Sequence, residues 1–186
     1  GFDFDAATNV GATKLVSLGL QVPGEHNVSN ALAALSVCAV MGISVKEAAG
    51  VLGRFTGTGR RFEVKGERAG VVLIDDYAHH PTEIRATLAA ARRRYPGRRI
   101  WAVWQPHTYS RTQTLFDAFV SAFEMADETI VTEIYRSREA AQDFSARQIV
   151  QAMNSESRRF IRTLEEATEY LVEHVRPNDV VLVLSA

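Results

Sequence analysis

At 186 residues, 46% of them hydrophobic and 23% charged, the chain has the length of one domain, or of one domain with part of a second, and can bury a sizeable core. A net charge of -1 supplies no global field for nucleic acid or an anionic membrane, and a single cysteine, Cys38, excludes an intramolecular disulfide. No apolar run is long enough to span a bilayer, and the opening GFDFDAATNV lacks the basic-then-apolar order of a signal peptide, so a cytoplasmic setting is expected.

In chain order, TKLVSLGLQV alternates apolar and polar residues like a strand with one exposed face, and PGEHN makes a turn. NVSNALAALSVCAVMGI then has helical spacing, with Leu32, Leu35 and Ala39 on one stripe and Cys38 as a small hydrophobe. SVKEAAGVLGRF reads as a shorter helix with Ser44 as its cap and Glu47 at capping-box spacing. TGTGRR breaks the pattern and marks a domain boundary, dividing residues 1–58 from 59–186.

Beyond that boundary, strands and helices alternate. RFEVKGERAGVVLIDDYA reads as a hairpin leading into a strand buried on both faces. PTEIRATLAAARRRYP follows as a helix with Pro81 in its first turn and Ile84, Leu88 and Ala91 inward. RIWAVWQ is a second buried strand, and RTQTLFDAFVSAFEMA a helix with Leu115, Phe119 and Phe123 on one stripe. ETIVTEIY, SARQIVQAMN, RRFIRT, LEEATEYLVEHV and DVVLVLSA continue the alternation. The fold class is therefore α/β, a mostly parallel, doubly wound, Rossmann-like sheet with helices on both faces, preceded by the helical tail of a second domain. Ligands of such sheets bind beyond the carboxyl ends of the strands.

Two strand ends carry unusual chemistry. IDDYAHHPTEI places Asp76, Tyr77 and His79 where a strand meets the Pro81 helix, and a histidine and acids there suit a phosphate, carboxylate or hydroxyl ligand. WQPHTYSRT ends the next strand with His107 and Arg111. If the two strands are neighbours, His79 and Arg111 reach a common ligand, and the arginine fork matches a carboxylate or phosphate. A weaker constellation, GEHNVSN, sets His26 and Asn30 on one helix face with Asn27 at its mouth, groups suited to a base edge or ribose, or else a simple N-cap. The arginines between Arg85 and Arg99 read as a solvated helix face, an RNA-binding surface being the alternative. No HExxH and no GxxxxGK[ST] is present, and Cys38 has no polar partner nearby, so neither a metal site nor a cysteine nucleophile is expected within the chain.

PGEHNVSNALAA, FTGTGRRFE, DDYAHHPTEI and QPHTYSRT, in this order, closely resemble the alanine-adding members of the Mur ligase family of bacterial peptidoglycan synthesis, from about Val22 onward. Members that attach a whole peptide in recycling keep DDxAHHPT but usually have EPRSNT where this chain has QPHTYSRT; that activity, and a non-catalytic nucleotide- or RNA-binding module, are the alternatives. The resemblance implies an ATP-dependent ligase that joins L-alanine to UDP-N-acetylmuramate through an acyl phosphate. It implies that His26, Asn27 and Asn30 border the adenine, that Arg61, with Arg60 beside it, reaches the ATP phosphates, and that Asp76 holds the ribose side. Tyr77, His79 and Arg111 then face the muramoyl carboxylate and the alanine, with His107 orienting them; many relatives have arginine where Thr108 stands. The family's central domain carries the P-loop and the Mg2+ ligands. Residues 1–58 correspond to the tail of that domain, so the isolated chain is expected to lack ligase activity and to bind ATP weakly. No nucleic-acid or membrane partner is implied, and the sequence leaves the oligomeric state open.

Overall fold

In the computed structural model, which describes residues 2–7 and 14–186, the chain divides into two units, Gly1–Gly59 and Arg60–Ala186. In the first, strand β1 (Phe2–Ala7) pairs antiparallel with β2 (Lys14–Leu20), followed by helices α1 (Glu25–Val40) and α2 (Val45–Leu52). Thr13, the start of the expected strand, lies outside the described residues. The core of this unit joins Leu18, Leu20 and Val22 to Ala31, Leu35 and Ala49. The buried stripe of α1 is thus Ala31 and Leu35, one residue round the helix from the expected one, and Leu32 and Ala39 are exposed. In a run of small residues several adjacent faces have similar apolarity, so periodicity alone does not select one. Ser44 does cap α2, accepting from the amide of Glu47.

The second unit is built on a six-stranded sheet of order β3-β4-β8-β5-β6-β7. Its strands are β3 (Glu63–Arg68), β4 (Val71–Asp76), β5 (Arg99–Trp104), β6 (Glu128–Val131), β7 (Arg158–Phe160) and β8 (Asp179–Leu184). Only the β3–β4 hairpin is antiparallel. Its turn, Ala69 and Gly70, has φ of 51° and 78°, the mirror-image turn whose twist suits a two-residue hairpin. The chain steps the same way across the sheet from β4 to β5, β6 and β7, and right-handed crossovers then put every connecting helix on one face. These are α3 (Pro81–Arg94), the short pair α4 (Tyr109–Thr114) and α5 (Phe116–Val120), and α6 (Arg147–Met153). The return from β7 to β8 reverses the step, so α7 (Leu164–His174) lies on the other face.

Each face has its own core. Ile74, Ile100, Trp104 and Leu182 meet Ile84, Leu88, Phe119, Phe123 and Ile149 on the three-crossover side. Trp101, Val103 and Val181 meet Ala167, Tyr170 and Leu171 under α7. One helix does not cover a whole face, and Leu73 of β4 is left 43% exposed, so the strand expected to be buried on both sides is buried on one. The expected helix over Arg111–Ala126 is interrupted: Leu115 (φ −107°, ψ 23°) separates α4 from α5, and the Ser121 hydroxyl reaches back to the carbonyls of Asp117 and Ala118 where α5 ends.

The basic cluster is a solvated face only in part: Arg85, Arg93 and Arg94 are exposed, whereas Arg92 and Arg98 are tied to the protein. Arg98 donates to the carbonyls of Gly70, Asn178 and Asp179, and Arg92 to those of Met125 and Arg98 while pairing with Asp127 at 2.8 Å. These side chains tie loops together at the amino ends of the strands, the edge of the sheet opposite the ligand-binding one.

Candidate active site

β8 lies between β4 and β5, so the two chemically marked strand tips are not immediate neighbours as expected. Two strand spacings, roughly 10 Å, separate them, a span that a substrate rather than a single atom bridges. The tips are tied across β8, with Ser185 N–H donating to Asp76 O and Gln105 N–H to Leu184 O.

At the β4 tip, Asp76 is 5% exposed, and its carboxylate accepts from the amides of Phe62 (2.7 Å) and Ala78 (2.8 Å). Desolvation pushes its pKa up, opposed by those two amides, the charge of Arg61 and the Thr87 hydroxyl. Glu63 accepts from the amide of Arg60, and Arg60 O accepts from the amide of Tyr77. Those bonds hold Arg60 (φ 56°) and Phe62 (φ 49°) in the left-handed region, a costly conformation for side chains of this size that a surrounding network must fix. The strained turn sets the two arginines apart. Arg60, its side chain 41% exposed, is tied to Asp75 (3.3 Å) and to both oxygens of Ser185 and lies over the ring of Tyr77. Arg61 has no hydrogen-bonded side-chain partner among the described residues: its side chain is 53% exposed, 3.8 Å from Glu83 and likewise over the ring of Tyr77.

His79 Nδ1 lies 2.9 Å from Tyr77 O and 3.6 Å from Glu83 Oε2, and its ring meets that of Tyr77 edge-on. Glu83 also accepts from the amides of His79 and His80, completing the capping box that starts α3. Burial pushes the Glu83 carboxyl up, but the His79 amide and imidazole, the His80 amide and Arg61 outweigh it and hold the pKa below the ordinary range.

At the β5 tip, Thr108 has φ 70°, a strained value for a β-branched residue, fixed by its amide bond to Tyr135 O and by the Thr112 hydroxyl on its carbonyl. The turn launches α4 and so sets His107 and Arg111. His107 Nδ1 and Arg111 Nη1 are buried and have no hydrogen-bond partner among the described residues, and no carboxylate pairs with Arg111 there. Desolvation, then the charges of Arg111 and His79, hold the His107 pKa below its ordinary value, with Glu139 opposing. Glu139 itself clamps the start of α4, accepting from the Ser110 hydroxyl and the amides of Tyr109 and Ser110. Replacing Glu139 by Gln should keep much of that clamp yet remove the charge, moving the His107 titration further down; an unchanged NMR titration would show that Glu139 does not act on His107.

The structure thus brings Arg61, Tyr77, His79, His107 and Arg111 to the carboxyl edge of one sheet, with Asp76 buried beneath them and Arg60 tied to Asp75 and Ser185. His26, Asn27 and Asn30 belong to the first unit. There Asn27 is not the cap of α1: Gly24 (φ 104°) is, and the amide side chain of Asn27 donates to Pro23 O. A side chain on Gly24 would collide with the His26 ring, so the turn requires glycine. Asn30 donates to Asn27 Oδ1, and His26 and Asn30 are exposed. Glu83 and Glu139 were missed in the sequence. Glu83 had a legible signal, standing three residues after His80 just inside Pro81, whereas Glu139 sits in a loop with no pattern.

Residues 60–186 match the family model described as Mur ligase, glutamate ligase domain. Among curated proteins, the chain is 47% identical over 178 residues to the UDP-N-acetylmuramate--L-alanine ligase of Clostridium kluyveri, covering 93% of this chain and 38% of that protein. With the same-named ligase of Desulfitobacterium hafniense the identity is 43%, covering 94% of this chain and 40% of that protein. The crystal structure of UDP-N-acetylmuramate-alanine ligase from Thermotoga maritima superposes with a TM-score of 0.79 at 30% identity, over 97% of this chain and 38% of that one. The murein peptide ligase of Psychrobacter arcticus gives a TM-score of 0.68 at 26% identity, over 91% of this chain and 36% of that one. The chain therefore spans about two fifths of the length of these relatives.

Proposed function

Since the chain belongs to the Mur ligase family, we propose that it forms part of a cytoplasmic, ATP-dependent ligase joining L-alanine to the lactyl carboxylate of UDP-N-acetylmuramate. Residues 1–58 correspond in this reading to the tail of the central ATP-binding domain, and 59–186 to the domain that closes over the reaction. The observation that carries it is the buried, unpartnered Arg111 Nη1 beside the unpartnered His107 Nδ1. A buried guanidinium nitrogen without an acceptor is costly, and an anionic ligand at the strand tips removes that cost.

The chemistry follows from the leaving group. A carboxylate cannot expel oxide at neutral pH; phosphorylation by ATP turns that oxygen into phosphate, and the amine of alanine then attacks the carbonyl carbon. What the protein adds is position and charge. Arg61, exposed and adjustable, faces the ATP phosphates, and Arg111 with His107 receives the muramoyl carboxylate and the alanine. Tyr77 and His79 line the wall between them. Asp76 was expected to hold the ribose, but its oxygens already serve Phe62, Ala78 and Thr87, so in this arrangement it acts on nucleotide through the turn that carries Arg61. His26, Asn27 and Asn30 are assigned to the adenine. Among the described residues no three His, Cys, Asp or Glu side chains converge to hold a metal, and this reading assigns the Mg2+ ligands to the central domain. QPHTYSRT at the β5 tip favours alanine over a whole peptide as the amine.

The test is a hybrid enzyme in which this chain replaces the matching region of the Clostridium kluyveri ligase. Phosphate release that needs ATP, UDP-N-acetylmuramate and L-alanine together supports the assignment. A folded hybrid that releases none contradicts it.

A further inference from the structure

We infer that His79 and Glu83 form a proton-accepting dyad, in which the Tyr77 carbonyl fixes the neutral imidazole as its Nδ1–H tautomer and leaves Nε2 bare to take the proton of the incoming amine. The inference deepens the ligase reading and rests on it for the identity of the amine.

Three observations carry it. First, the partner of Nδ1 at 2.9 Å is a main-chain carbonyl oxygen, which only accepts, so Nδ1 must carry the hydrogen. Second, Nε2 has no partner among the described residues and is not one of the buried unsatisfied atoms, so it stays accessible with its lone pair. Third, Glu83 Oε2 lies 3.6 Å from Nδ1 and is itself pinned by the amides of His79 and His80. The Tyr77 carbonyl orients the ring, and the fixed carboxylate beside it stabilises the imidazolium that forms, the charge role an acid plays behind a histidine base.

The step balances. Alanine arrives as an ammonium, whose nitrogen has no lone pair. Transfer of one proton to His79 Nε2 frees that pair, which forms the C–N bond to the acyl phosphate. The C–O bond to phosphate breaks with its electron pair, and a second N–H proton leaves on the phosphate. Products are the amide, hydrogen phosphate and a protonated His79, which returns its proton to solvent.

Nitrogen-resolved imidazole NMR of this chain, at a pH where the ring is neutral, should show His79 protonated at Nδ1 and bare at Nε2. The Nε2–H form would overturn the dyad while leaving the ligase reading intact. In the hybrid enzyme, His79→Gln should lower kcat by about 100-fold and leave KM for alanine nearly unchanged, the signature of a lost proton acceptor. Glu83→Gln, which keeps an acceptor for the two amides, should lower kcat by roughly tenfold by removing the charge behind the ring. A raised KM with intact kcat in both variants would show that they bind the amine without taking its proton. An inactive parent hybrid would remove the ligase reading and this step with it, whereas the tautomer would still be read directly.

Discussion

Arg111→Ala in the hybrid ligase is expected to lower kcat/KM by about 10²–10³-fold, the loss typical of removing a preorganised charged donor from a reacting anion. Arg111 has a buried nitrogen with no internal partner, so its removal leaves no protein group newly unsatisfied. Stability should therefore fall little while activity falls far, and this separation distinguishes a ligand-directed arginine from a structural one. Arg111→Lys should recover only part of the loss, because an ammonium cannot reproduce the planar fork. Steady-state kinetics beside a thermal melt of each variant decide the matter; a variant that melts early and keeps its activity would place Arg111 in the scaffold.

At the opposite edge of the sheet the expected effect is on stability. Asp179 is 4% exposed and accepts from Arg99 (2.6 and 3.1 Å), the Trp101 indole (3.0 Å) and the amide of Arg176 (2.9 Å). Asp179→Ala strands a buried indole N–H and amide and breaks the ion pair, for which we expect about 2–3 kcal/mol, below a fully buried pair because Arg99 keeps contact with water. That is a fall in Tm of roughly 10 °C for a unit of this size. Burial alone would raise the Asp179 pKa, but Arg99, the Arg176 amide and Trp101 outweigh it and lower the pKa below the ordinary 3.8. The margin of the natural protein over the variant should be full above that value and shrink as pH falls through the folded pKa. Denaturant unfolding at a series of pH values measures it, and a margin that grows on acidification would contradict the assignment.

How much of this was legible in the sequence varies with the kind of information involved. The strand–helix alternation was readable because each element carries its own period: Ile84, Leu88 and Ala91 do face one core. The place of β8 was not, because strand order is set by which crossover packs back where, and no residue of DVVLVLSA states that it inserts between β4 and β5. The same limit separates the two strand tips that looked adjacent. Chemical residue types at strand ends were readable, and Arg61, Tyr77, His79, His107 and Arg111 do share an edge of the sheet. Direction was not. Arg60 and Arg61 are identical neighbours in sequence, and only the left-handed turn held by Asp76 and Glu63 gives the first fixed partners in Asp75 and Ser185 and leaves the second near Glu83. The basic run was legible only in part for a related reason: Arg85, Arg93 and Arg94 are exposed as expected, but Arg92 and Arg98 bind carbonyl oxygens of distant loops, and backbone acceptors leave no trace in composition.

The central claim is that the tips of β4, β8 and β5 form a single anion-receiving cleft. Titrating the isotopically labelled chain with acetyl phosphate, the simplest acyl phosphate, while following the side-chain resonances of His79, His107, Arg61 and Arg111, tests it most directly. All four should move along one saturation curve, and Arg111→Ala should abolish the movement at both histidines. Resonances that shift independently, or histidines that still respond in the Arg111 variant, would mean that the two strand tips do not share a ligand.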